Sequence, residues 1–514
     1  MLRNLLYVAG PKQLALAEDS LSRLGGGPPQ QGELDSRVYM VEHKQIHPLK
    51  VRIYVVENNR PIIEHLQNKD IDLLIYDERA GEFNSAISAI ETLKKDVEKL
   101  AKHWGPEFHF PIKRCMAILN DTPDAAERAF ILGRDHVKEV IVDPHSMVKV
   151  LKKIGEVLAA NVNQRLHYKT GMALSGGALE GFLYQLGAVH ALDQAMVDYD
   201  TRSFQTYSGV SSGSIIASLL ACKIKPLEVI RSIHGKSDHL PHLTGKTLFD
   251  FAAVDVSKRV LKSSMRWTGV DPTKILQNFL RAIPTGFFKG AALKEYFEQA
   301  LDVFGAPNQF DDLEADLYVG ATNQDTLQHK VFRKNIDVQP TISEAVRASC
   351  ALPPFFTPQK IGTRRYIDGQ ITRTCNLSQV VEDGCRLIFI VDPLKPFASY
   401  IPGSVDKEGG VFTLIQTVKA LVHSRFSATL SHLTERFPDV DFIVIQPDSA
   451  TTRKMAGSPM RYKIRDEIID IAYRSTLRKL IDRYDVYATK LDKHGIRLKS
   501  ADMLIKLENQ GLVI

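Results

Sequence analysis

At 514 residues the chain is long enough for two or three domains of the usual size, roughly 100–200 residues each. Hydrophobic residues make up 44% and charged residues 25%, which excludes a disordered chain and supports a sizeable core. A formal net charge of +6 over this length does not demand nucleic acid, and no nucleic-acid partner is expected, although clustered Lys and Arg would favour an anionic membrane surface.

Residues 5–9, 51–56, 73–76, 115–119 and 137–142 are apolar, strand-like runs flanked by turn or charged residues. Helical stretches lie between and after them, notably 84–104 and 146–160, and residues 25–30 form a Gly-Pro loop. Such alternation predicts a parallel α/β sheet covered on both faces. The apolar opening is broken early by Lys12, which argues against a signal peptide and for a first strand. No uninterrupted apolar run approaches the ~18–20 residues of a membrane span. Cys115, Cys222, Cys350, Cys375 and Cys385 are odd in number and lack CxxC spacing, so they read as reduced, packed thiols of a cytoplasmic protein.

Residues 1–160 bear a weak resemblance to the receiver domain of bacterial response regulators, which implies a flavodoxin-like fold. Asp77 ends the third strand, where receivers carry a phospho-accepting aspartate, and Thr122 follows the fourth. The acidic residues expected after the first strand are missing from Ala9-Gly10-Pro11-Lys12, and Asp143 stands where a lysine is expected. That leaves no metal site and no cation to neutralise a phosphoryl group. The expectation is a regulatory docking or dimerisation module, meeting a second copy or a protein partner, rather than a phosphorylated switch.

From residue 168 the texture changes. Strands are expected at 169–174, 203–207, 317–322, 330–333, 387–391 and 442–445, with helices at 182–195 and 214–222. The two sharpest turns are loaded with Gly and Ser. Thr206-Tyr207-Ser208-Gly209-Val210-Ser211-Ser212-Gly213-Ser214 contains a G-x-S-x-G centred on Ser211. A nucleophile on a strand-to-helix turn needs small residues such as Gly209 and Gly213, because strand and helix crowd past each other there. The helix that follows directs its N-terminal dipole at a developing anion. A serine-rich turn capped by Ser212 or Ser214 is the plain alternative.

Leu174-Ser175-Gly176-Gly177-Ala178-Leu179-Glu180-Gly181 is a second glycine turn between strand and helix. Its amides can approach an anion closely. It lacks the Rossmann spacing and the Gly-Lys-Ser/Thr of a phosphate loop, and a plain helix-entry turn is the remaining alternative. The third element is Arg365-Tyr366-Ile367-Asp368-Gly369-Gln370, in which Asp-Gly by itself is a commonplace turn.

In this order the three elements resemble the patatin-like phospholipase family over residues 168–450. The stretch Ala345-Val346-Arg347-Ala348-Ser349-Cys350-Ala351-Leu352-Pro353-Pro354-Phe355-Phe356 is similar to the family's approach to its acid strand. The resemblance implies a Ser–Asp dyad, with Ser211 as nucleophile and Asp368 as general base. Gly176, Gly177 and the Ala178 amide would line the oxyanion hole, and Gly181, Gly209, Gly213 and Gly369 would support the turns. Neither a metal nor a cofactor is called for. The reaction implied is hydrolysis of phospholipid or lysophospholipid acyl esters through an acyl-enzyme. An acyltransferase, a neutral-lipid esterase and a non-catalytic lipid- or protein-binding scaffold are the alternatives. The chain departs from the family pattern at Ala178, where a third glycine is usual, at Glu180, where a basic residue is usual, and at Gln370, where a small residue is usual.

Substrate access would be from the membrane surface, by transient peripheral association. Residues 258–289 mix Lys with aromatics, and 284–289 suit an interfacial lip as well as they suit an ordinary packed helix pair. Residues 462–487 read as a solvated amphipathic helix within a helical extension, 451–514, packed on the hydrolase domain.

Overall fold

The computed structural model describes residues 2–8, 30–31, 37–42, 50–56, 60–78, 86–104, 114–134, 137–142, 150, 153–154, 156–157, 168–244, 288–336, 339–399, 403, 408–455 and 464–514. They form two compact units. The first is Met1–Tyr168 with Leu430–Ile443 and Leu480–Ala501; the second is Lys169–Thr429 with Val444–Lys479 and Asp502–Ile514.

The first unit holds strands β1 (Leu2–Val8), β2 (Gln30–Gln31), β3 (Arg37–Glu42), β4 (Lys50–Val56), β5 (Leu73–Asp77), β6 (Cys115–Leu119) and β7 (Glu139–Val142). Their order is β2-β3-β4-β1-β5-β6-β7. Five of them, β4-β1-β5-β6-β7, are parallel, and among themselves they follow the 2-1-3-4-5 order of flavodoxin-like sheets. Helices α1 (Arg60–Asn68), α2 (Ala86–Trp104) and α3 (Ala125–Arg134) make the crossovers. The two-residue side-chain period explains the apolar runs. Leu6 and Val8 enter one core with Tyr54 and Leu74, while Leu5 and Tyr7 enter the other with Ile53 and Ile75. The antiparallel pair β2–β3 on the sheet edge was not expected from the sequence.

Asp77 is fully buried, and its Oδ2 accepts a hydrogen bond from the Tyr7 hydroxyl at 2.6 Å. A carboxylate so enclosed is closed to a phosphoryl donor. Residues 9–12 and 143, which carry the other departures from the receiver pattern, lie outside the described residues.

The second unit contains β8 (Lys169–Leu174), β9 (Met196–Val197), β10 (Thr206–Val210), β11 (Asp316–Asn323), β12 (His329–Phe332), β13 (Gln359–Ile361), β14 (Arg364–Asp368), β15 (Cys385–Val391) and the end of β16 (Asp441–Ile445). The sheet order is β13-β14-β11-β10-β8-β15-β16, with β12 also paired to β11. The core strands β15, β8, β10 and β11 are parallel, and β14, β12 and β13 add an antiparallel wing.

Helices α4 (Ala178–Ala195), α5 (Ser212–Ala221), α6 (Pro226–Ile233), α7 (Ala291–Val303), α8 (Ile342–Ser349), α9 (Leu377–Glu382), α10 (Gly409–Arg436), α11 (Ser449–Lys454), α12 (Arg465–Asp482), α13 (Tyr484–Asp492) and α14 (Ala501–Gln510) follow in chain order, of which α13 belongs to the first unit. All ten residues of α5 are buried, and α4 is buried continuously from Leu179 to Leu192. Their small residues allow that: a Cβ on Gly187 would stand 2.2 Å from the Ile469 carbonyl of α12.

The C-terminal stretch is not one extension on the hydrolase unit. Leu480–Ala501 belongs to the first unit, whereas the residues on either side belong to the second. Charge pairing explains the division. The fully buried Lys493 ammonium contacts Asp70 and lies 2.6 Å from Asp72. Arg114 reaches Asp441 at 3.2 Å, and Asp441 also meets His494 Nε2 at 3.0 Å. Stripping any partner from such a set leaves an uncompensated buried charge. Of residues 462–487, expected to be a solvated helix, those from 465 on hold α12 and the start of α13, and α12 buries Ile468, Ile469, Ala472 and Leu477.

Candidate active site

Three strand ends bring the sequence motifs together. Strand β10 ends at Val210 and α5 begins at Ser212, so Ser211 is the whole of the turn, with φ 53° and ψ −130°. That strained conformation is the one a nucleophile elbow requires. Gly209 and Gly213 are obligatory by space. A Cβ on Gly209 would stand 2.4 Å from the Gly213 carbonyl, and one on Gly213 would stand 2.4 Å from the Leu174 carbonyl. The Ser211 N–H donates to Ser349 Oγ at 2.8 Å, and Ser349 Oγ donates in turn to the Gly320 carbonyl at 2.6 Å. The Ser211 carbonyl accepts from Ser214 Oγ at 2.6 Å.

Asp368 ends β14, whose pairing with β11 sets it opposite Ala321. Ser211 Oγ donates to Asp368 Oδ2 at 2.6 Å, and Asp368 Oδ1 accepts from the Gln370 N–H at 2.8 Å. Asp368 is completely buried, and burial pushes its carboxyl up to about 7 although both hydrogen bonds pull the other way. A carboxylate poised there can take a proton at neutral pH. Gly369 is confined as tightly, since a Cβ would stand 2.3 Å from the Gly320 carbonyl.

Behind the acid a polar chain closes the turn. Thr322 Oγ1 donates to the Asp368 carbonyl at 2.9 Å and meets Thr372 Oγ1, also at 2.9 Å. His329 contacts Thr372 at 2.8 Å through Nδ1 and Asn376 at 2.6 Å through Nε2. Burial holds the His329 imidazole down near 4, so it is neutral at physiological pH. Nothing in the local sequence around His329 or Thr372 marked them; only the β11–β12–β14 pairing brings them here.

The glycine loop leaves β8 at Leu174 beside β10 and enters α4. Gly177 caps α4 and Ala178 opens it, so their N–H groups are among those a helix leaves without intrahelical acceptors. Ala178 holds φ 52°, the left-handed region where glycine is favoured. Gly176 differs from its neighbours: its N–H donates to Gln370 Oε1 at 2.9 Å. Of the three expected oxyanion residues, Gly176 is thus engaged by a side chain. Glu180, where a basic residue was expected, is buried in α4.

Asp392, which no motif marked, anchors the loop from beneath. Ser175 Oγ donates to Asp392 Oδ1 at 2.6 Å and Gln446 Nε2 donates to Oδ2 at 2.8 Å. Burial opposes ionisation, but the His423 imidazole at 4.0 Å and these hydrogen bonds hold the carboxyl below its usual range. The next residue, Pro393, sits against Gly177 and Gly181, where a Cβ would meet its ring at 2.7 and 3.0 Å.

Above Ser211 opens an apolar pocket lined chiefly by Leu179, Phe182, Ile215, Leu293, Leu352 and Phe356. The expected lip at residues 258–289 lies outside the described residues apart from Phe288 and Lys289. Phe288 packs its ring 5.6 Å from that of Phe356, on the pocket wall. Among the described residues no group of three His, Cys, Asp or Glu side chains is placed to hold a metal ion, and all five cysteines are buried and free. No described helix is long and apolar enough to cross a membrane.

The sequence pattern of the patatin-like phospholipase family matches residues 172–381, the stretch that carries all three motifs. The chain is 26% identical over 233 residues to a protein described as probable lipid hydrolase 463L of Invertebrate iridescent virus 6, covering 44% of this chain and 67% of that one. Among solved structures, VipD from Legionella pneumophila aligns over 62% of this chain and 67% of its own, at 16% identity and a TM-score of 0.32. The G domain of the T. maritima FeoB iron transporter covers 31% of this chain and 98% of its own, at 13% identity and a TM-score of 0.20. Superpositions that loose add nothing to the family match.

Proposed function

We propose that this chain, whose residues 172–381 match the patatin-like phospholipase family, is a lipid hydrolase that cleaves carboxylic esters of phospholipids or lysophospholipids through a Ser211–Asp368 dyad. The observation that carries the reading is the 2.6 Å hydrogen bond from Ser211 Oγ to a buried Asp368. Asp368 takes the Ser211 proton as Oγ attacks the ester carbonyl. The amides of Gly177 and Ala178, backed by the α4 dipole, meet the developing oxyanion. Collapse releases the alcohol, which takes the proton back from Asp368, and leaves an acyl-Ser211. Water, deprotonated by Asp368, then attacks the acyl carbonyl, and Ser211 Oγ leaves with that proton as the fatty acid is freed. The apolar pocket beside Ser211 accepts the acyl chain, each buried methylene contributing about 0.8 kcal/mol.

Approach would be peripheral, at the cytoplasmic membrane face. An uncharged, solvent-facing stripe on α10 supports that placement. Leu414, Val418 and Leu421 are 65%, 52% and 67% exposed, at i, i+4 and i+7. On the same face one turn further, Arg425 donates to the carbonyls of Gln370 and Ile371 at 2.5 and 3.0 Å, so the stripe leads to the acid-bearing turn. The first unit, through residues 1–160, would serve regulation by docking a protein partner or a second copy.

The test is labelling with a serine-directed fluorophosphonate, followed by mass spectrometry of lipids released from mixed vesicles. Labelling lost in Ser211→Ala and free fatty acid lost in Asp368→Asn support the dyad. Acyl groups moved to another lipid instead of water would make the protein a transferase. Well-folded protein that neither labels nor releases fatty acid would be a scaffold.

A further inference from the structure

The Asp-Gly turn and the glycine loop belong to different strands, β14 and β8, which are not neighbours in the sheet. One side chain spans the gap. The Gln370 backbone N–H holds Asp368 Oδ1 at 2.8 Å, while Gln370 Oε1 accepts from the Gly176 N–H at 2.9 Å. Its carbonyl is fixed in turn by Arg425 of α10 at 2.5 Å. The contact is close: a Cβ on Gly176 would stand 2.7 Å from Gln370 Oε1 and 2.8 Å from Ser211 Cβ. Gln370 is 8% exposed, and its Nε2 is buried without a hydrogen-bond partner. An unpaired buried amide nitrogen costs about 1–3 kcal/mol. A side chain kept at that cost for packing alone would be better replaced by an apolar one of the same length.

We infer that Gln370 is a positioning residue, a crossbar that ties the general base to the oxyanion loop so that Asp368, Ser211 and the Gly177–Ala178 amides keep one geometry. Gln370 touches no reacting atom and acts through Gly176. Its Oε1 satisfies the Gly176 amide, which would otherwise be orphaned when Ser211 is shielded by lipid. Holding the loop matters because donors displaced by about 1 Å from a developing oxyanion lose most of their effect. This rests on the dyad reading above, but the crossbar can be measured without turnover.

The experiment compares wild type with Gln370→Met, which keeps length and removes the acceptor, and Gln370→Glu, which keeps an acceptor oxygen at the same reach. Amide hydrogen exchange at Gly176, read by NMR or by mass spectrometry of a short loop peptide, reports the bond directly. Protection is expected to fall at least tenfold in Gln370→Met and to be kept in Gln370→Glu. For hydrolysis of a water-soluble short-chain ester on the alkaline plateau, kcat is expected to drop roughly tenfold to a hundredfold in Gln370→Met with KM within twofold. Gln370→Glu is expected to recover most of that loss. Unchanged exchange and kcat in Gln370→Met would overturn the crossbar. If Gln370→Met does not fold, loss of Gly176 protection in a folded Gln370→Glu would overturn it equally. Absence of turnover in wild type would instead remove the dyad reading and leave the exchange result to decide on Gln370.

Discussion

Ser211 Oγ and Asp368 Oδ2 are 2.6 Å apart, with no imidazole between them, at the meeting of two strands that are not paired with each other. In the proposed dyad the base is a carboxyl whose proton affinity is set by burial rather than by a histidine. With that carboxyl pushed up to about 7, the protonated form is inert as a base, so activity should rise with pH and fall away below about 7. A pH profile of kcat/KM with an acid limb near 4 would remove Asp368 as the group responsible.

The same shift makes Asp368 a stability cost. Its folded value, about 7, lies above the ordinary aspartate value of 3.8, so the folded state holds the proton more tightly. Raising the pH from about 4 to 7 ionises the unfolded chain first and weakens the fold, and above 7 the full cost is present. Asp368→Asn should then be catalytically dead yet more stable than wild type at pH 8, with the difference shrinking towards pH 4. Thermal melts of the two proteins across that range check it; a variant less stable at pH 8 contradicts it.

The backbone around Ser211 separates two kinds of glycine position. At Gly209 and Gly213 any Cβ collides with main chain at 2.4 Å, so Gly209→Ala and Gly213→Ala should abolish labelling of Ser211 by fluorophosphonate. At Ala178 the reverse holds. Its φ of 52° strains an alanine by roughly 1–2 kcal/mol, partly offset by the greater chain entropy a glycine loses on folding. Ala178→Gly should therefore raise Tm slightly, by about 2–4 °C at most, and leave kcat equal or higher. A lower Tm would mean that the methyl group packs more usefully than its backbone costs.

How much of this was legible in the sequence depended on whether the signal was local. The G-x-S-x-G turn, the glycine loop and the parallel strands are written in short runs, because turn geometry and two-residue periodicity act within a few residues. Strand 115–119 was placed to the residue. Lys493 carried no signal at all: its partners Asp70 and Asp72 lie more than 400 positions away, so the return of 480–501 to the first unit was invisible. Asp392 was hidden for the same reason, since Ser175 reaches it only through the β8–β15 pairing. Gln370 was noticed as a departure, but its role required seeing Gly176 beside it.

On the proposed reading the pocket sets the acyl preference. Leu293 lines the space above Ser211 with Phe182 and Ile215, in a pocket whose lining is almost wholly apolar. Leu293→Trp should fill part of that space and cut kcat/KM for long-chain esters by at least tenfold, while short-chain esters are little affected. Each methylene excluded from the pocket forfeits about 0.8 kcal/mol, close to a fourfold loss, so the deficit should grow with chain length until the pocket is full. A uniform loss across chain lengths would show that Leu293 supports the site rather than shaping it.

The α10 stripe predicts how the enzyme meets its substrate. Replacing Leu414, Val418 and Leu421 together by serine removes exposed apolar surface and touches no buried side chain, so the fold should be kept. If this face rests on lipid, vesicle binding and hydrolysis of vesicle lipids should fall at least tenfold while hydrolysis of a soluble ester is unchanged. Because the stripe carries no charge, that binding should persist on neutral phosphatidylcholine vesicles and depend little on salt, unlike attraction through lysines. A self-association constant lowered by the triple variant, with vesicle binding intact, would instead assign the face to a second copy of the chain. Arg425 tells the two apart structurally, since it links the stripe to Gln370 and Ile371: lipid seated there would protect the 370–374 turn from hydrogen exchange when vesicles are added, in protein too dilute to self-associate.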